Sequence, residues 1–169
     1  MKIAFGDKSR VGKDTCVNYL IKTYGGEHLS FAHDLYKILH YAQEVCSFEK
    51  SKDRKFLQFI GTDWAREIDD NIWINLTLEK VEAVKGNSFI SDVRFRNEFD
   101  TLKKEGWTLV KIIKDNPEST GGILNHSSEK NDIKDDEWDY IINNNESIED
   151  LYCKLEDIIK ELFFMEKKH

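Results

Sequence analysis

Ile3-Ala4-Phe5-Gly6-Asp7-Lys8-Ser9-Arg10-Val11-Gly12-Lys13-Asp14-Thr15 stands near the start of the chain, and an amphipathic run follows it at once. An apolar strand that runs into a glycine-containing turn, a lysine and then a helix is built to hold phosphate. Glycine lets the backbone come close, successive N–H groups point at anionic oxygens, and the helix adds the positive end of its dipole. Lys13 supplies a point charge for the terminal phosphates. The spacing departs twice from G-x-x-x-x-G-K-[ST]. The first glycine belongs at position 7, where the chain carries Asp7, with Gly6 one step earlier. After the lysine, where a hydroxyl usually meets magnesium, stands Asp14, with Thr15 behind it. Gly12, Lys13, Asp14 and Thr15 are therefore candidate ligands of a polyphosphate and its metal. Lys8 and Arg10 read either as further phosphate contacts, the guanidinium fork suiting Arg10 better, or as solvated surface charge.

Outward from the loop, Cys16, Val17, Leu20, Ile21 and Tyr24 share one helical stripe that Gly25-Gly26 closes. Residues 29–32 read as a short strand and 34–45 as a helix carrying Leu35, Ile38, Leu39 and Ala42. Residues 47–86 read as mostly helical, with breaks near Gly61 and Asn71. Phe89-Ile90 leads to Asp92, and Phe95, Phe99 and Leu102 then recur at helical spacing up to Gly106. Residues 107–113 and 138–142 read as further strands. A long closing helix carries Ile148, Leu151, Leu155, Ile158, Ile159, Leu162 and Phe163, with Ser147 and Asp150 as its capping box. Strands alternating with helices imply a parallel sheet whose functional loops share one edge. The expected fold is α/β, a P-loop NTPase-type three-layer sandwich with a central parallel sheet and helices on both faces. It forms one domain, 1–169, with 34–86 as a helical substrate-binding region. The segment 115–136, with Pro117, Gly121 and Gly122, reads as a lid loop or a plain surface loop.

The 169 residues carry 32 acidic and 25 basic side chains, a net charge of −7. That sign repels a polyanionic backbone, so phosphate chemistry is expected in a local basic pocket and not on a nucleic-acid polymer. Cys16, Cys46 and Cys153 are too scattered for a disulfide framework or a zinc site. With no apolar stretch of membrane-spanning length and no signal-peptide pattern, a cytoplasmic protein without a membrane partner is expected.

Asp92, ending an apolar run, reads as a Walker-B-type carboxylate that holds Mg2+ directly or through water, or as a helix N-cap. Arg94 and Arg96 can neutralise a phosphoryl group in flight. Period-two alternation from Asp92 favours Arg94. Asn97 is a further candidate for the acceptor side, and Glu98 reads as a substrate contact or an exposed helical charge. Upstream, Arg54, Gln58, Trp64, Arg66 and Trp73 mix cations, an amide and aromatics, a set that can grip a monophosphate and hold a base. The same set also reads as core tryptophans and a solvated charged face.

Together these segments resemble the deoxynucleoside monophosphate kinases of bacteriophages and related viruses, a branch of the P-loop kinases. The likeness runs through Arg10-Val11-Gly12-Lys13-Asp14-Thr15, Ser30-Phe31-Ala32, Leu57-Gln58 with Gly61-Thr62 and Arg66, Trp73, Asp92-Val93-Arg94-Phe95 with Asn97-Glu98, His126 with Ser128-Glu129, and Ile142-Asn143-Asn144. It implies transfer of the γ-phosphoryl of ATP, with Mg2+, to a deoxynucleoside 5′-monophosphate. It further implies Lys13 at the β- and γ-phosphates, Arg66 and Arg94 at the acceptor phosphate or the group in flight, and a homodimer. The Gly-Lys-Asp-Thr order is common in that family, which accounts for Asp14. Asp7, and Tyr36 where a lysine is frequent, remain departures, with Lys37 a possible substitute cation. Two rival readings are a kinase of another small phosphorylated metabolite and a nucleotide-binding module that Asp7 has deprived of catalysis.

Overall fold

A computed structural model describes residues 1–115 and 133–166. Five strands form one parallel sheet: β1 (Lys2–Gly6), β2 (Glu27–Leu29), β3 (Ser88–Val93), β4 (Thr108–Ile113) and β5 (Tyr140–Asn143), in the order β2-β3-β1-β4-β5. β1 lies in the middle because all three of its core positions are fully buried. Alternation then sorts its side chains: Ile3 and Phe5 face one hydrophobic cluster and Ala4 faces the other. The first cluster is closed by α1 (Lys13–Tyr24) and α7 (Ile148–Glu166) through Cys16, Val17, Leu20, Leu151, Leu155 and Ile159. The second is closed by α2 (His33–Val45), α4 (Ala65–Ile68), α5 (Ile72–Ala83) and α6 (Arg96–Lys104). Helices therefore cover both faces, giving the expected three layers.

Helix ends follow the local chemistry. Gly25 and Gly26 leave α1 at positive φ, and the Gly25 N–H bonds to Ile21 O. The Ser147 and Asp150 side chains each accept the other's backbone N–H at the start of α7. Two expectations change in detail. The second strand lies earlier than read, at 27–29 in place of 29–32, because Ser30-Phe31-Ala32 turns away into α2. Gly61 is not a break: α3 (Arg54–Gln58) runs into a π-helical turn, Phe59–Trp64, and then into α4. A Cβ at Gly61 would lie 2.6 Å from Leu35 Cδ2, so a larger residue there would require that side chain to shift. Asn71 does mark a break, immediately before α5. The segment 115–136 lies almost entirely outside the described residues, as do His126, Ser128 and Glu129.

Candidate active site

At the carboxyl end of β1 the chain coils around its own lysine. Asp7, Arg10 and Gly12 adopt positive φ, at 85°, 62° and 106°. Lys13, in the first turn of α1, is buried, and its Nζ donates to Asp7 O at 3.0 Å and to Lys8 O. Burial, reinforced by the Arg94 guanidinium, lowers the Lys13 pKa from 10.5 to about 8, against weaker opposing pulls from Asp14, Asp7 and Asp92. A buried cation in that condition favours an anion beside it. Arg94, just past β3, reaches the same loop and donates to Ser9 Oγ at 3.0 Å. Lys8 and Arg10 are exposed on the loop.

On one side of the loop, Asn144 follows β5, and its amide donates to Val11 O at 2.8 Å. A Cβ on Gly12 would come within 2.6 Å of that amide, so both conformation and space demand glycine. A cleft of about 410 Å3 opens here, with Arg10, Thr15, Lys114, Asn144, Glu146 and Ile148 in its walls.

The two candidate metal carboxylates are held differently. Asp14 is exposed, and its Oδ1 accepts the Ser91 hydroxyl at 2.6 Å, while Ser91 Oγ meets His28 Nε2 at 2.8 Å. Since Ser91 has one proton and gives it to Asp14, His28 Nε2 is the donor to Ser91. Asp92 accepts from Ser30 Oγ at 2.7 Å and Ala32 N at 3.0 Å through Oδ2, and from Phe31 N at 3.1 Å through Oδ1. The N-cap of α6 is Phe95, so Asp92 is not that cap; it ties β3 to the entry of α2. Among the described residues no group of three or more His, Cys, Asp or Glu side chains could hold a metal by itself. Magnesium, however, is usually held by one or two carboxylates plus substrate phosphates, and an exposed Asp14 with Asp92 nearby suits that donor set.

On the other side of the loop, the Arg66 side chain is only 6% exposed. It donates to Glu98 Oε1 at 2.5 Å and Asp70 O at 2.9 Å, and its guanidinium lies 3.9 Å from the Phe95 ring centroid. Glu98 is neither a free substrate contact nor an exposed helical charge. It is buried, and its second oxygen accepts from Arg94 N at 2.8 Å and Phe95 N at 3.1 Å. Burial raises its pKa from 4.5 to about 7, with Arg66 pulling the other way. Glu98 thus braces Arg66 and the backbone beneath Arg94. The Asn97 amide donates to Asp70 O and Asn71 Oδ1, locking α6 to the turn before α5.

Trp73 is also corrected as a stacking surface: it is 5% exposed, and its indole N–H is committed to Gly61 O at 2.8 Å. Trp64 is half exposed. Gln58 ends α3, and among the described residues its buried Oε1 and the buried Arg66 Nε have no hydrogen-bond partner. Arg54 is half-buried in the first turn of α3. At Tyr36, Lys37 does not supply a free cation, being paired with Asp34 at 3.0 Å. Lys52 instead brings its Nζ 5.8 Å from the Tyr36 ring centroid. Sequence reading missed His28, Ser91, Lys114 and Lys111. Only Lys111, a charge inside the apolar run Leu109-Val110-Lys111-Ile112, left a signal that could have been noticed.

The profile of the family described as deoxynucleotide monophosphate kinase matches residues 47–155. The chain belongs to the deoxynucleotide monophosphate kinase family. This family membership is also carried by a protein of Acanthamoeba polyphaga mimivirus named "Putative deoxynucleotide monophosphate kinase", 31% identical over 85% of this chain and 88% of that one. The deoxynucleotide monophosphate kinase of Escherichia phage RB69 is 29% identical over 63% of this chain and 44% of its own length. The uncharacterised protein ORF77 of Ictalurid herpesvirus 1 is 36% identical over 65% of this chain, which spans about half (49%) of that protein. Among solved structures, the fold resembles shikimate kinase from Acinetobacter baumannii, with a TM-score of 0.57 and 15% identity over 94% of this chain and 92% of that one. It also resembles dephospho-CoA kinase from Campylobacter jejuni, with a TM-score of 0.51 and 17% identity over 96% and 98% of the two chains. At those identities the likeness speaks for the fold of this kinase family member alone. Among the described residues no helix is long and apolar enough to cross a membrane.

Proposed function

We propose that this protein is a nucleoside monophosphate kinase that transfers the γ-phosphoryl group of ATP to a deoxynucleoside 5′-monophosphate. The observation that carries this reading is the convergence of Lys13 and Arg94 on one coiled backbone cradle, with Lys13 buried to the point of a depressed pKa. Two cations there are suited to two anionic substrates whose mutual repulsion is the main obstacle to reaction. Lys8, Arg10, Gly12, Lys13, Asp14 and Thr15 take the donor's phosphates. The cleft beside Lys114, Asn144 and Ile148 takes its nucleoside. The acceptor occupies the helical region 34–86, where Arg54, Arg66 and Arg94 address its phosphate, and the unpartnered Gln58 Oε1 offers an acceptor to a base N–H.

In the transfer, an acceptor phosphate oxygen bonds to the γ-phosphorus as the bond to the β,γ-bridging oxygen breaks, and the diphosphates of both nucleotides result. Lys13 and Arg94 hold the charge that develops on the γ- and bridging oxygens. Glu98 positions Arg94 by accepting its N–H. Asp14, with Asp92 close by, would hold Mg2+, which would supply further charge neutralisation to the phosphates. Asp92 in addition fixes the loop that leads to the acceptor region.

A coupled assay of ADP formation against a panel of nucleoside and deoxynucleoside monophosphates tests this. Turnover with one or more deoxynucleoside monophosphates is expected; none with any of them, in folded protein, overturns the proposal. Lys13→Ala should lower kcat at least about 100-fold with folding retained.

A further inference from the structure

Asp7 occupies the place where a phosphate loop of this spacing has glycine, in a left-handed conformation that a side chain resists. A carboxylate at that point faces two penalties: backbone strain, and negative charge at a site for phosphate. Lys111 answers the second. It lies in the middle of β4, directly across from Gly6 in the β1–β4 register. Its Nζ is 3.8 Å from Asp7 Oδ2 and 2.7 Å from Asp135 Oδ1. The Lys111 and Asp7 side chains are only 11% and 10% exposed, whereas Asp135 is 73% exposed. The pair inside is thus shielded from solvent, and the outer carboxylate is not. Asp7 also presents its backbone carbonyl to Lys13 at 3.0 Å, so whatever fixes Asp7 fixes where Lys13 lies.

We infer that Lys111 is a positioning residue of the phosphate loop: it draws the Asp7 carboxylate toward β4, holds the left-handed turn, and leaves Lys13 available to a nucleotide's phosphates. The inference rests on the phosphate-loop reading above and adds a residue outside the loop on which that loop depends. In Lys111→Met the Asp7 carboxylate loses this neighbouring charge and competes with phosphate for Lys13. In a chain with glycine at position 7, Lys111 has nothing to hold back.

The test is a double-mutant cycle read by calorimetric titration with ATP and by the ADP-coupled assay, on full-length protein checked for folding by circular dichroism. Lys111→Met should weaken ATP binding by at least about tenfold, and Asp7→Gly should bind at least as tightly as the unaltered chain. The doubly altered chain should return to within about threefold of the unaltered one. Lys111→Gln gives the same comparison if Lys111→Met does not fold. Asp135→Asn should change affinity less than about threefold, since that side chain is solvated. Unchanged affinity in both Lys111 variants overturns the inference. So does a doubly altered chain that stays as weak as the Lys111 variant, because Lys111 would then act through the fold. Loss in Asp135→Asn equal to that in Lys111→Met likewise overturns it. ATP binding without transfer to any monophosphate overturns the kinase reading alone, because the cycle is scored on binding.

Discussion

Lys13 bonds to two carbonyls of its own loop, which leaves one of the ammonium's three N–H groups for an incoming phosphate, and that phosphate favours the charged amine. Its pKa of about 8 in the folded chain lies below the ordinary 10.5. Between those values the folded protein binds fewer protons than the unfolded one, and this group's contribution to stability rises as the pH climbs through that window. Phosphate binding runs the other way: it recruits the charged amine, so ATP affinity should fall as the pH passes about 8, with proton uptake on binding. Titration at about pH 8 to 9 in two buffers of different ionisation enthalpy measures that uptake; none at all there would remove Lys13 from the phosphate contact. At Glu98, substitution by alanine strands a buried guanidinium and two backbone N–H groups. A loss of about 3–5 kcal/mol in urea unfolding is expected, with Glu98→Gln milder because its amide oxygen still accepts.

The elements were largely legible because their signal is local. Apolar patterning located α1, α2, α6 and α7, the strand through Phe89-Ile90 and the strand read at 107–113, while residue type and spacing gave the capping pair Ser147 and Asp150. What escaped is decided by partners far off in the chain. Asp92 reads as a metal ligand or a helix cap; Phe95 takes the cap, and the tie to Ser30, 62 positions away, is invisible in the local sequence. Glu98 reads as a substrate contact or an exposed charge until Arg66 closes over it. Gly61 reads as a helix break, yet the helix passes through it by widening its turn, with Leu35 packed close against it. At Trp73 the core alternative holds over stacking: its N–H binds the Gly61 carbonyl inside the core. Gly6 gives an element-scale test. A Cβ there would fall 2.2 Å from the Trp138 ring, so Gly6→Ala must push β1 and the turn before β5 apart. A cost of about 1–3 kcal/mol in thermal unfolding is expected, together with weaker ATP binding. Wild-type affinity would show that the loop tolerates this displacement.

Across the whole molecule, both hydrophobic clusters share the central strands, with alternate residues of β1 belonging to each. Neither cluster can be lost while the other survives intact. Leu155→Ala, at a fully buried position of α7, should therefore lower stability by about 2–5 kcal/mol without splitting the unfolding transition. A second, separate transition would contradict the shared core. The parallel order also places the phosphate loop, Ser30-Phe31-Ala32, Arg94 and Asn144 at one edge of the sheet, as alternating strands and helices implied. Trp138 adds something of a different kind. Its ring lies against Gly6, the last residue before the coil around Lys13, and it is one of four tryptophans in the chain. Any shift of that coil changes the surroundings of an intrinsic fluorophore. Trp138 should thereby act as an optical gauge of the loop: a stopped-flow change in emission on nucleotide addition, lost in Trp138→Phe, is the expected result.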